Sequence, residues 1–236
     1  MHSQEPGKEL PPRPIKSLRK GSARIALEIQ PHFDQYIFID RSAKRVQELE
    51  TLRDEFLELK QSIHIEQADA NEYLRRWCQH TDWQRHRAVV FLDPYGMQVD
   101  WKTIEAIAQT KAIDLWLLFP LGMAVNRLLT RSKPPPKKWA DALTRAFGTE
   151  EWRPEFYPKK IERDLFGEQE TEEKQANFDR IGRFFMAQLK RVFAHVAPNP
   201  LILTNSKGIP IYLLCFAAGN PKGAPTAVKI AKDILK

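Results

Sequence analysis

Four short apolar runs, each followed by a helix-type pattern, constrain this chain more than any other feature. Residues 34–40, 88–92 and 113–119 are rich in β-branched, leucine and aromatic side chains with few polar breaks, and residues 62–66 read as a further short strand. Such runs suit strands covered on both faces. Between them apolar residues recur three to four apart: Val46, Leu49, Leu52 and Phe56; then Tyr73, Leu74 and Trp77; then Trp101, Ile104 and Ile107. That spacing predicts helices. A short helix over residues 24–29, stopped by Pro31, precedes the first strand. Strands alternating with helices imply an α/β fold with a mostly parallel sheet covered on both faces.

The pattern changes after Pro120. Residues 121–196 hold no convincing strand and read as a helical insert. It has a helix over 121–130, a stop at Pro134, Pro135 and Pro136, and a helix striped by Trp139, Leu143 and Phe147 with Gly148 as its C-terminal cap. A polar stretch over 167–174 reads as a loop, and a long helix follows through Phe178, Ile181, Phe185, Leu189 and Val192. Strand patterns return at 201–204 and 209–217 around Asn205-Ser206-Lys207-Gly208, a turn signal for an antiparallel hairpin, and a helix closes the chain from about Thr226. Residues 21–120 and 197–236 together follow the general plan of the Rossmann-like, class I methyltransferase-type fold. Residues 1–20, with Pro11, Pro12 and Pro14, read as a basic tail.

Composition narrows the function classes. The 236 residues suit one large domain or a domain with an insert. Cys78 and Cys215 are too few for a disulfide scaffold or a cysteine metal site. No apolar stretch approaches the roughly 20 residues a bilayer requires, and no secretory pattern opens the chain, so the expectation is a cytoplasmic protein with no membrane partner. His80 and His86 have poor metal-ligand spacing. No P-loop or Gly-x-Ser-x-Gly pattern occurs. The net charge of +7 is uneven: residues 1–24 carry +4, 25–126 carry −5, 127–160 carry +5 and 161–236 carry +3. The basic insert, with Lys133, Lys137 and Lys138, is the candidate surface for an anionic substrate such as nucleic acid, against the plainer reading of a solvated face. Residues 152–157 mix aromatic and basic side chains that either stack on bases or pack inside.

Three aspartates end three successive strands: Asp40, Asp69 and Asp93. In open α/β sheets ligands bind beyond the carboxyl ends of the strands. There Asp40 suits a ribose and Asp69 an adenine. The alternative for each is to cap the following helix. Asp93-Pro94-Tyr95-Gly96 resembles the Asp-Pro-Pro-Tyr/Phe turn of amino methyltransferases, whose carboxylate accepts hydrogen bonds from a target amine and whose ring stacks on the base. The competing reading is a proline turn with a packed tyrosine. None of the ten glycines forms a Gly-x-Gly pair.

Residues 21–29 with 33–40, residues 91–96 with 99–101, Leu118-Phe119-Pro120, Asn205-Ser206-Lys207-Gly208 and residues 216–221 occur in an order that resembles the three-Cys-motif partner (TcmP) proteins. The resemblance spans residues 21–236. It implies a methyltransferase-like protein using S-adenosylmethionine, with a three-cysteine-motif protein as partner. It assigns Asp93, Pro94 and Tyr95 to catalysis and Asp40 and Asp69 to the cofactor. It further implies an alternative, a non-catalytic partner protein, because Met1 to Lys20 stand where the family places a strand and a glycine-rich turn.

Overall fold

A computed structural model describes residues 21–130, 134–164, 167–172 and 174–236. The basic tail and Lys133 lie outside the described residues. The chain divides into two compact units, one ending at Asp69 and one beginning at Ala70.

The first unit is built on a parallel strand pair, β1 (Tyr36–Asp40) and β2 (Ile63–Gln67). Helix α1 (Ser22–Glu28) precedes it, and α2 (Ala43–Glu55) with a 3-10 turn (Leu57–Ser62) connects the strands. Its core is small. Leu27, Tyr36, Leu59 and Ile63 are buried, with Phe38, Leu52, Phe56 and Ile65 against them. The 3.6-residue period of Leu52 and Phe56 thus does what it predicts, laying one face of α2 on the strand pair.

The second unit opens with α3 (Ala70–His80) and contains a mixed five-stranded sheet. Strand β3 (Ala88–Leu92) leads through α4 (Trp101–Gln109) to β4 (Ile113–Phe119), which pairs with it in parallel. A π-turn (Leu121–Val125), a short helix α5 (Asn126–Leu128), α6 (Lys137–Phe147) and α7 (Trp152–Phe156) follow. Next come a two-stranded antiparallel ribbon, β5 (Lys159–Asp164) with β6 (Gly167–Glu172), and the long helix α8 (Phe178–Val192). Strands β7 (His195–Val196), β8 (Leu201–Thr204) and β9 (Pro210–Ala218) and helix α9 (Ala224–Ile234) complete the unit. Strand β9 lies antiparallel to β4 on one side and to both β7 and β8 on the other.

Two expectations need correction. The sheet is not mostly parallel. Parallel pairing is confined to β1–β2 and β3–β4, and every pairing of β9 is antiparallel. Connection length accounts for β8 with β9, and β9 then enters antiparallel to β4 as well. The turn at Asn205–Gly208 can join antiparallel strands, whereas a parallel step needs a crossover. The insert is also not purely helical, since β5 and β6 pair over six residues each. Their sequences, Lys-Lys-Ile-Glu-Arg-Asp and Gly-Glu-Gln-Glu-Thr-Glu, lack the apolar alternation that marks a half-buried strand, so nothing in them signalled a ribbon.

The core of the second unit is aromatic. Phe119 stacks on Phe185 with ring centroids 3.8 Å apart, and Phe147, Phe156 and Phe184 meet edge-on around them. Helix α8 supplies Ile181, Phe185 and Leu189 to this core, as its sequence spacing predicts. Asn177 caps its N-terminus, its side chain accepting the Arg180 N–H at 2.8 Å. Gly148 ends α6 in the left-handed conformation, φ 73°.

Candidate functional site

Asp93 follows the last residue of β3 and begins the turn that leads to α4. Pro94 is buried while the residues on either side are exposed. Tyr95 is 78% exposed, so its ring is not the packed tyrosine of a plain proline turn. Gly96 has φ 78°, a left-handed conformation that side-chain-bearing residues rarely adopt, which turns the chain back sharply after Tyr95. Beneath the turn lies a small apolar cleft of about 20 Å³, lined by Pro94, Met97, Val99, Leu117, Phe119 and Phe185.

The far end of the loop is pinned by residues the sequence did not single out. Asn71, at the start of α3, donates to the Gln98 carbonyl at 2.7 Å. Its side-chain oxygen accepts the Asp100 N–H at 2.9 Å and the Thr103 hydroxyl at 2.8 Å. Asp100 then pairs with Arg145 at 3.2 Å and Arg75 at 3.7 Å. These contacts tie α3, α4 and α6 to one loop end and leave its other end, with Asp93 and Tyr95, facing solvent. Residues so distant in sequence carry no local signal of a shared network.

Asp40 and Asp69 lie in the first unit, at the carboxyl ends of β1 and β2. Asp40 accepts the Ser42 N–H at 2.8 Å and approaches Arg45 at 3.9 Å. Asp69 pairs with Arg41 at 3.5 Å. The structure therefore gathers these two carboxylates at one sheet end, interleaved with two guanidinium groups. Arg41 and Arg45 are largely exposed, and such surface pairs are worth about 0–1 kcal/mol. Ionised carboxylates accept hydrogen bonds only, which is the chemistry that ribose hydroxyls and an adenine amino group require. The methionine part of S-adenosylmethionine finds no counterpart among the described residues. Gly21, the nearest glycine before β1, is extended at φ −66° and opens α1.

The basic insert gives a divided result. Lys137 and Lys138 are exposed in the first turn of α6, while Lys133 lies outside the described residues. Arg145 is committed to Asp100. The aromatic stretch at 152–157 is not a stacking platform. Trp152, Phe156 and Tyr157 are each at most 1% exposed. Trp152 donates its indole N–H to the Thr144 hydroxyl at 2.9 Å, and the Tyr157 hydroxyl donates to the Thr130 carbonyl at 2.7 Å. Phe156 packs edge-on against Phe147 and Phe184.

Both cysteines are buried. Burial pushes the Cys78 thiol up to about 11 and the Cys215 thiol also up, so neither offers a thiolate. Among the described residues no group of three or more His, Cys, Asp or Glu is placed to hold a metal ion, and no helix is long and apolar enough to cross a membrane. Compared with protein-family models, curated proteins and solved structures, the chain finds no match.

Proposed function

We propose that this is a methyltransferase-like protein of the three-Cys-motif partner type, which takes an amino-bearing base of a nucleic acid at Asp93 and Tyr95. The adenosine part of S-adenosylmethionine would be held by Asp40 and Asp69. The observation that carries this reading is the exposure of Asp93 and Tyr95 on a glycine-tightened turn at the end of β3. A carboxylate there accepts N–H bonds from an amine, and an uncovered ring offers a face to a flat substrate. Bound S-adenosylmethionine would supply the methyl group. The protein's own part is to hold the amine and to orient the ring. Lys137 and Lys138 would meet the phosphate backbone, so affinity should fall steeply with salt.

Isothermal titration with S-adenosylmethionine tests the cofactor half. Micromolar binding to the folded protein is expected, weakened at least tenfold by Asp40→Ala; absence of heat rules the cofactor out. A second reading, a non-catalytic partner of a three-cysteine-motif protein, is favoured by the arginines already on Asp40 and Asp69. Co-expression and pull-down decide it: a stable complex without cofactor binding supports the second reading, and no complex removes it.

A further inference from the structure

The Asp93 turn is one side of a wider cradle at the same sheet end. Leu92 pairs with Leu117, and Leu117 pairs with Cys215. One residue further along, Leu118 and Leu214, which pair with each other, stand level with Asp93 and on its face of the sheet. Tyr212 is two residues earlier in β9, on that face again. Because β9 runs antiparallel to β4, this places it about 7 Å nearer the rim. The strands carrying Asp93 and Tyr212 are separated by β4 alone, so they stand about 10 Å apart. Half-buried Leu118 lies on the strand between them.

Two further observations bring Tyr212 to the site. Its phenol is pushed up by burial first, then by the Asp93 carboxylate and by Tyr95, so the three groups are electrostatic neighbours and Tyr212 keeps its proton. The start of β9 is also held rigidly. A Cβ on Gly122 would stand 2.0 Å from the Pro210 carbonyl oxygen, so the π-turn and β9 touch backbone to backbone two residues before Tyr212.

We infer that Tyr212 is the second polar wall of this site, its hydroxyl donating to the Watson–Crick-edge ring nitrogen of a base whose neighbouring amino group donates to Asp93. Leu118 forms the apolar floor under the ring. An acceptor and a donor side by side match the amino and ring-nitrogen edge of adenine or cytosine. They mismatch guanine, which presents two donors there, and uracil, whose carbonyl would face the carboxylate. The inference rests on Asp93 being the amine acceptor, as proposed above.

The test uses the full chain and fluorescence anisotropy with two single-stranded DNA hexamers, one centred on adenine and one on 1-deazaadenine, which lacks the ring nitrogen beside the amino group. The wild type should bind the adenine hexamer about tenfold more tightly, the usual effect of one hydrogen bond to a partly buried donor. Tyr212→Phe should bind both hexamers equally while its melting temperature stays close to the wild-type value. A Tyr212→Phe protein that keeps the preference overturns the inference. Asp93→Asn separates the two claims: if it weakens adenine binding while Tyr212→Phe has no effect on the preference, Asp93 stands as the acceptor and Tyr212 does not belong to the site. Equal binding of both hexamers by the wild type also overturns the role of Tyr212. Failure of the wild type to bind either hexamer overturns both.

Discussion

At the scale of single residues, two positions show how local geometry fixes what may stand there. Gly148 sits in the left-handed region, and a Cβ there would come within 2.0 Å of the Trp101 ring. That ring is itself buried, so it has no room to yield. Gly148→Ala should cost about 2–4 kcal/mol, from the left-handed penalty and the displaced indole together. Thermal or urea unfolding measures it. Asp114, in β4, is half-buried and accepts the Gly219 N–H at 3.1 Å. Burial raises its carboxyl above the ordinary value, against the lowering effect of that bond. The native state therefore binds this proton more tightly than the unfolded chain does. Stability from the group is full below the unfolded value and is lost as pH rises through the raised folded one. Asp114→Asn keeps an acceptor for Gly219 and removes the charge. It should raise the melting temperature at pH 7 and lose that advantage at pH 3. A melting temperature unchanged at pH 7 counts against the account.

At the scale of elements, the loop from Asp93 to Asp100 is fixed at one end and open at the other. Asn71 makes three of the hydrogen bonds that hold its far end. Asn71→Ala leaves the Asp100 N–H and the Gln98 carbonyl to find water, at a cost of about 1–3 kcal/mol. Ligand binding at Asp93 should weaken with it, although Asn71 touches no ligand. By contrast, Asp93→Asn and Tyr95→Ala alter exposed side chains and should change stability by less than about 0.5 kcal/mol. Equal loss of stability in all three variants would mean that the turn is structural throughout. Strand β3 poses a different problem. Its outer edge pairs with no strand among the described residues, and Val89 and Phe91 stand 51% and 46% exposed on one face. An open edge with apolar side chains is a template for self-association. Phe91→Lys should reduce concentration-dependent light scattering while leaving the melting temperature nearly unchanged.

At the scale of the whole molecule, the two units differ in how much holds them. The β1–β2 pair is a two-stranded sheet on a core of four buried residues. Two-stranded sheets are marginal by themselves. The second unit has a five-stranded sheet and most of the buried aromatic side chains. Native-state hydrogen exchange should therefore show Tyr36–Asp40 amides exchanging well before those of Ile113–Phe119 and Pro210–Ala218. Uniform protection across both sheets would contradict this. The division also bears on the candidate site. Asp40 with Asp69, and Asp93 with Tyr95, are each assembled within one unit, although Asp40, Asp69 and Asp93 looked alike as aspartates at strand ends in the sequence.

The chain's strands and helices were legible wherever one apolar period dominated. Strands β1 to β4, helices α2, α4 and α8, and the Asn205–Gly208 hairpin carry their own instructions, because side-chain spacing and turn chemistry are properties of neighbouring residues. The Asp93-Pro94-Tyr95-Gly96 turn was legible for the same reason. Contacts between distant segments were decided only in the tertiary structure. Pairing β9 against β4, β7 and β8 made the sheet mixed, and a ribbon of charged residues formed where periodicity gave no hint. Packing consumed the aromatic residues at 152–157, deciding between the two roles that composition left open. The tertiary structure likewise joined Asn71 to Asp100 and set Tyr212 at the same sheet end as Asp93 across 119 residues of chain. A sequence specifies which bonds each residue can make with its neighbours, but which distant partner satisfies a side chain depends on register and burial, and these exist only once the sheet has formed.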